Sequence, residues 1–398
     1  MRIAFLTHEP FFPPSGGGSA EAIYLVQEMI ARGHEVDIFC PKVEDRARIK
    51  TQFRVELHEF TAWKMGRYTS LRNFKYLAYP FFLERMVRRV AATQSFDLIF
   101  SQHAIAAVAA GRLRAKLSRP VVMNFLDFLT AFMETWPVYV APPPLLAVLK
   151  RFELSLPIRY KADGVLAVSD TLAQHFIGTG YSRNQVLPIY YGHDADLFPL
   201  RSDVPRVGPP IVIMHGSLDQ HHLQSIAVEA IAYVTQLRPE VVFRFIGRIT
   251  PTLQNFLTRT KKHCPSAHLE TTGFVPYDQV AIELSKAHLG IVPYEESTGT
   301  HCAFVAKIVE YLAVGLPVVS TRLCSVSHYF SKEPRIEFTN FNGADFGRAI
   351  MGSLTRNETN CNQGAAEASE RVRTRLNWRS ISQRAVDFAE RTVTQFQR

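Results

Sequence analysis

Residues 291–321 read IVPYEESTGTHCAFVAKIVEYLAVGLPVVST, and the order of residue types dictates a strand, a loop, a helix and a second strand. Leu289-Gly290-Ile291-Val292-Pro293 is a short apolar run of the kind that a strand buried on both faces requires. A polar loop containing glycine follows, and a helix is expected to begin near Ala303 and to carry Lys307 and Glu310. Gly315 ends that helix, and Pro317-Val318-Val319-Ser320-Thr321 starts the next strand. Strands alternating with helices through short connections build a doubly wound parallel sheet.

The same pattern runs outward in both directions. Arg2–Thr7 reads as a buried strand, residues 8–19 as a loop rich in proline and glycine, and Ala20–Arg32 as a helix with Ile23, Val26, Met29 and Ile30 on one face. Gly33 fits the C-cap, and Glu35–Cys40 is the next strand. Asp97–Phe100, Pro120–Phe125 and Gly164–Ser169 continue the series, with Ser169 or Asp170 placed to cap the following helix. Residues 199–210, PLRSDVPRVGPP, hold four prolines and a glycine and read as a linker. A second series then begins with Ile211–Gly216 and Val241–Gly247. The expected organisation is two α/β domains, residues 1–200 and 206–377, followed by a terminal helix.

Composition agrees. A chain of 398 residues exceeds one ordinary core and suits two domains of roughly 200 residues each. With 47% hydrophobic and 20% charged residues, extensive disorder is excluded. The formal charge of +9 suits anionic partners, or serves solubility alone. The five cysteines, Cys40, Cys264, Cys302, Cys324 and Cys361, are scattered without zinc or redox spacing, as expected of free thiols in a reducing compartment. The apolar stretch at the start is too short for a signal peptide and is interrupted by Glu9. No run approaches the ~18 apolar residues of a membrane span. A cytoplasmic location is expected, with peripheral attachment to the inner face of the cell membrane open.

Several residues are placed to do chemistry. Loops at the carboxyl ends of parallel strands bind ligands, and a helix start offers N–H groups and a positive dipole to phosphate. Lys307 adds a full charge there, and Glu310 stands where a carboxylate accepts hydrogen bonds from a ribose diol. The same spacing also fits an amphipathic helix with both residues in water. Gly16-Gly17-Gly18 lets a ligand approach the backbone or simply makes a turn. A dinucleotide fingerprint would need glycine at position 21, where Glu21 stands. Asp127, in Asn124-Phe125-Leu126-Asp127-Phe128, follows a strand where a loop can project its side chain into a cleft; the alternative is a helix or turn cap. His103 is a weaker candidate. Residues 62–92 interleave seven basic with seven aromatic residues and hold one acid, Glu84. They suit an anionic membrane interface, or else a buried aromatic core beneath a solvated basic face. No nucleic-acid motif accompanies them, and no D-x-D metal motif is present, so neither a nucleic-acid partner nor a metal is expected.

Lys307, Glu310, Tyr311, Ala313, Gly315, Pro317, Val318 and Val319 together form K-x-x-E-Y-x-A-x-G-x-P-V-V. This pattern resembles the donor-binding region of the GT-B glycosyltransferases, family 4 above all. The likeness extends along nearly the whole chain, through Ala162–Phe198 and Thr272-Gly273-Phe274-Val275 to the terminal helix with Trp378. It implies two Rossmann-like doubly wound domains facing a central cleft, with helix 378–398 packing back on the first. It implies a UDP- or GDP-sugar held by Gly17, Gly18, Gly216, Tyr294, Lys307 and Glu310, and Asp127 as the base. The acceptor would be a glycan or a lipid-linked sugar of bacterial surface polysaccharide or glycolipid synthesis, and no cofactor or metal would be needed. The arrangement is also similar to the inverting, membrane-associated glucuronosyltransferases of exopolysaccharide synthesis.

Two departures stand out. Cys302 occupies a position that is acidic in many family members. The loop His215-Gly216-Ser217-Leu218-Asp219-Gln220-His221-His222 lacks the arginine and lysine usual for the diphosphate. They leave open a non-catalytic sugar-nucleotide-binding subunit; a nucleotide-dependent dehydrogenase or epimerase is the other alternative.

Overall fold

The structure is a computed structural model, and it describes all residues except 13–16, 63–73, 202–207 and 361–363. Two compact units emerge: Met1–Tyr190 with Trp378–Arg398, and Tyr191–Asn377. The division falls at Tyr190/Tyr191, ahead of the proline-rich stretch suggested by composition.

The first unit is a seven-stranded sheet: β1 (Arg2–Thr7), β2 (Glu35–Pro41), β3 (Glu56–Phe60), β4 (Leu98–Gln102), β5 (Val121–Phe125), β6 (Gly164–Ala167) and β7 (Val186–Pro188). Its order is β3-β2-β1-β4-β5-β6-β7, and all its pairings are parallel. The second unit repeats the plan with six strands: β8 (Ile211–His215), β9 (Val242–Ile246), β10 (His268–Gly273), β11 (Leu289–Val292), β12 (Val318–Thr321) and β13 (Ile336–Thr339). Its order is β10-β9-β8-β11-β12-β13, again parallel. In each sheet the first strand lies inside the sheet. The chain winds one way from it, then returns to its other side and winds away. That reversal opens a crevice at the carboxyl ends of β1 and β4, and another at those of β8 and β11.

The buried strands β1, β4, β5 and β6 were legible as apolar runs because both faces are covered. β3 reads ELHEF and β10 reads HLETTG. As edge strands with polar positions, they carry no such run.

The helix expected near Ala303 is two pieces. Ser297 caps a short helix, Thr298–Cys302, in a capping box with Thr300. Ala303 is extended (φ −67°, ψ 138°), and the helix bearing Lys307 and Glu310 runs Ala306–Ala313. Lys307 therefore stands in the first turn. Ser169 caps Asp170–Gly178 by accepting from the Leu172 N–H.

The last helix, Trp378–Phe396, belongs to the first unit. The Trp378 ring stacks on Tyr24 at 5.3 Å. Arg32 pairs with Asp387 at 2.6 Å and Glu390 at 3.0 Å. Phe388 lies so close to Gly164 that a Cβ there would come within 2.6 Å of its ring. Trp378 is 3% exposed, so Trp378→Ala leaves a cavity under the terminal helix. A loss of about 3–5 kcal/mol is expected, read as an earlier unfolding transition of the first unit in a denaturant titration with the second unit's transition in place.

Candidate functional site

In the second unit the crevice is built by β8, β11 and the helix Ala306–Ala313. β8 ends at His215, and Gly216 follows in the left-handed region (φ +106°), where glycine is favoured. A Cβ on Gly216 would meet Lys307 Cε at 3.2 Å and Nζ at 3.3 Å. The missing side chain is thus the space that the lysine occupies.

Lys307 is 9% exposed. Its Nζ lies 3.2 Å from Tyr294 Oη and 3.3 Å from His222 Nε2. His222 Nδ1 accepts the Asp219 backbone N–H at 2.8 Å. A neutral imidazole with its Nδ1 lone pair so engaged carries its hydrogen on Nε2. Both Nζ and Nε2 therefore present hydrogens to the space between them. Both groups can donate to an anionic oxygen placed beside them, the strongest kind of acceptor. The first-turn N–H groups of Ala306–Ala313, whose N-cap Val305 makes no side-chain cap, add a positive end nearby.

One turn on, Glu310 is buried with both oxygens engaged. Oε2 lies 2.5 Å from His215 Nε2, and Oε1 accepts from Tyr277 Oη at 3.0 Å. A carboxylate offers about four lone-pair directions, so two remain for a diol. The two histidine rings are held by the β11 loop: Glu295 N–H donates to His221 O at 2.9 Å, and His222 packs edge-on to Tyr294 at 4.4 Å. Glu295 itself receives the Ile226 N–H at 3.1 Å, at the start of helix Ser225–Leu237, and Glu296 pairs with His301 at 3.4 Å. Neither acid takes the place that Cys302 leaves.

The first unit's crevice is acid-rich. Glu9 follows β1, His103 follows β4 and Asp127 follows β5. Gly18, in the helix Gly17–Ala31, faces them: a Cβ there would lie 3.1 Å from Glu9 Oε2, 3.1 Å from His103 Nε2 and 3.4 Å from Leu126 Cδ1. Gly16 lies outside the described residues, and Gly17 opens that helix. Asp127 is half-buried. Phe128, not Asp127, holds the N-cap position of the helix Leu129–Phe132.

His103 has φ +67°, a strained conformation for a residue with a Cβ, costing on the order of 1–3 kcal/mol. Its Nε2 is 3.7 Å from Glu9 Oε2. Burial alone favours the neutral ring, yet Glu9, with Asp127 and Glu21 further off, raises its pKa. Glu21 is fully buried, and burial pushes its pKa up to about 7 against hydrogen bonds from Gln102 (3.2 Å) and Asn124 (3.1 Å).

Gly216, Tyr294, Lys307 and Glu310 thus meet in one crevice, and Gly18 and Asp127 share the other. Sequence reasoning missed His222, His215, Tyr277 and Glu21. The loop of residues 215–222 is marked in the sequence only by its lack of arginine and lysine; the place of His222 in the loop after β8 is the available signal. Among the described residues, no three His, Cys, Asp or Glu side chains group to hold a metal ion.

Two doubly wound parallel sheets with a donor-lined crevice in the second are the GT-B architecture. Residues 15–197 match the model of Glycosyltransferase Family 4, and residues 200–366 that of Glycosyl transferases group 1. The chain belongs to the family 4-like GT-B glycosyltransferases. No curated protein matches its sequence. Among solved structures it is similar to sucrose-phosphate synthase from Thermosynechococcus elongatus (TM-score 0.79, 15% identity, 99% of each chain covered). It is also similar to Anabaena HepE in complex with UDP and glucose (TM-score 0.73, 19% identity, 97% of this chain and 98% of that one). A third is WaaG, a glycosyltransferase involved in lipopolysaccharide biosynthesis (TM-score 0.69, 15% identity, 97% and 99%). At these identities the likeness is one of fold.

The raised Glu21 pKa gives a stability prediction. Folded Glu21 keeps its proton up to about 7, whereas the unfolded carboxyl loses it near 4.5. The folded state therefore binds more protons between these values, and stability falls as pH rises through that window. Glu21→Gln removes this dependence. Relative to the parent, it should be stabilised above pH 7 by on the order of 3 kcal/mol, measured by denaturant unfolding of the first unit across the pH range.

Proposed function

We propose that this glycosyltransferase moves a sugar from a UDP- or GDP-sugar to a glycan or lipid-linked acceptor in bacterial surface polysaccharide or glycolipid synthesis. The supporting observation is the convergence of Lys307 Nζ and the Nε2–H of His222 at 3.3 Å beside Gly216. A nucleotide diphosphate has oxygens to which both groups can donate. The complex of HepE with UDP and glucose, and the role of WaaG in lipopolysaccharide synthesis, favour the same donor and acceptor classes.

In this reading Lys307, His222 and the start of the helix Ala306–Ala313 hold the diphosphate and stabilise the charge it gains on leaving. These groups supply the positive charge that a metal ion would otherwise provide, so neither metal nor cofactor is required. Glu310, oriented by His215 and Tyr277, accepts from the ribose hydroxyls. Tyr294 keeps Lys307 in place. Gly17 and Gly18 leave room for the donor, and Asp127 takes the proton of the acceptor hydroxyl. The basic and aromatic segment 62–92 brings the enzyme to an anionic membrane at the inner face of the cell; its residues 63–73 lie outside the described set.

Incubation with a panel of UDP- and GDP-sugars tests the reading. Lys307→Ala should weaken donor binding roughly tenfold to a hundredfold by loss of a charge-assisted hydrogen bond. Asp127→Asn should lower kcat by roughly a hundredfold to ten-thousandfold with donor affinity kept. Donor binding without turnover on any acceptor would favour the sugar-nucleotide-binding subunit instead.

A further inference from the structure

Eight of the twelve large apolar side chains exposed among the described residues fall in two short segments, residues 77–81 and 138–158. Leu77 (73% exposed) and Phe81 sit one turn apart on the helix Phe74–Ala91. Leu145, Val148 (65%) and Phe152 form an i, i+3, i+7 stripe on the helix Pro143–Arg159, and Tyr139 (85%) precedes it. Each of these helices packs against the buried helix His103–Leu117.

The charges on the two helices are sorted. Their acids, Glu84 and Glu153, are buried: Glu84 pairs with Lys116, and Glu153 accepts from the Leu129 and Thr130 N–H groups. The charged residues left exposed are all cationic: Arg85, Arg88 and Arg89 on one helix, Arg151 and Arg159 on the other. An apolar stripe flanked only by cations suits an anionic lipid surface. A second copy of the chain would meet it with the same positive charge.

Topology fixes which end of the unit is involved. In a parallel sheet each connecting helix starts at the carboxyl edge and runs back to the amino edge. Leu77, Phe81, Leu145 and Val148 lie in the first halves of their helices, at the edge where Asp127 and His103 stand.

We infer that the first unit docks on anionic membranes through these two stripes, Leu145–Val148–Phe152 with Tyr139 on one helix and Leu77 with Phe81 on the other, both carried on the helix His103–Leu117. The docked helices lie in the interface; among the described residues no helix is long and apolar enough to cross it. The inference deepens the proposed function by giving a lipid-linked acceptor a direct route to the carboxyl edge, but the docking is measurable without turnover.

The test is co-sedimentation of the full chain with vesicles of phosphatidylcholine alone or mixed with phosphatidylglycerol, with hydrogen exchange of residues 138–152 as a second reading. The parent should bind only the mixed vesicles, more weakly at high salt, and protect 138–152. Reversing Arg85, Arg88 and Arg151 to glutamate should weaken binding by roughly a hundredfold or more. Replacing Leu145, Val148 and Phe152 with serine should abolish protection while leaving nucleotide binding intact. Unchanged binding in either variant, no binding by the parent, or self-association of the parent lost in the serine variant would overturn the inference. Docking that follows these expectations in a protein releasing no nucleotide from any sugar donor would sink the glycosyltransferase chemistry and leave the docking face standing.

Discussion

A parallel sheet whose first strand lies in its interior cannot close over its own carboxyl edge. The connections to either side of β1, and again of β8, leave in opposite directions, so the edge between β1 and β4, or between β8 and β11, is open by construction. Whatever side chains follow those strands are thrown together regardless of their separation in sequence. Gly216 and Lys307 meet because one follows β8 and the other stands in the first turn of the second helix after β11. Glu9, Gly18 and His103 meet for the same reason one sheet earlier.

This constraint explains what the sequence could and could not tell. The central strands were legible because burial on both faces demands unbroken apolar runs such as IAFL in β1 and VVM in β5. Lys307 and Glu310 were legible through their spacing within one helix and a recognisable pattern around them. His222 and His215 were not. Their meaning lies in partners 85 and 95 positions away, and a histidine's role depends on which nitrogen is engaged. The break at Ala303 was hidden as well, since nothing in ALA-PHE-VAL forbids helix; a capping box upstream ended one helix early. The exposed stripe on Pro143–Arg159 escaped notice because apolar residues at helical spacing read as core until the neighbours that would cover them are known.

The two crevices share a backbone plan and differ in chemistry. In the second, hydrogens from Lys307 and His222 converge where an anion would satisfy both. In the first, Glu9, Glu21 and Asp127 surround a histidine whose pKa is raised against its burial. The first cluster costs stability. Left-handed His103 is strained, and buried Glu21 destabilises the fold once its proton is lost. Local rules broken in this way are expected where function rather than packing sets the residue.

Transfer of a sugar to a hydroxyl makes two opposite demands. The departing diphosphate gains negative charge and needs donors, while the attacking hydroxyl sheds a proton and needs a base. A lysine and a carboxylate that pair shift each other's protonation; in the second unit Glu310 is instead held by His215 and Tyr277, and Lys307 lies against Tyr294 and His222. Lys307 and His222 are gathered by the strands β8 and β11, and Glu9, His103 and Asp127 by β1, β4 and β5, so the repeated plan builds the two sets on different sheets.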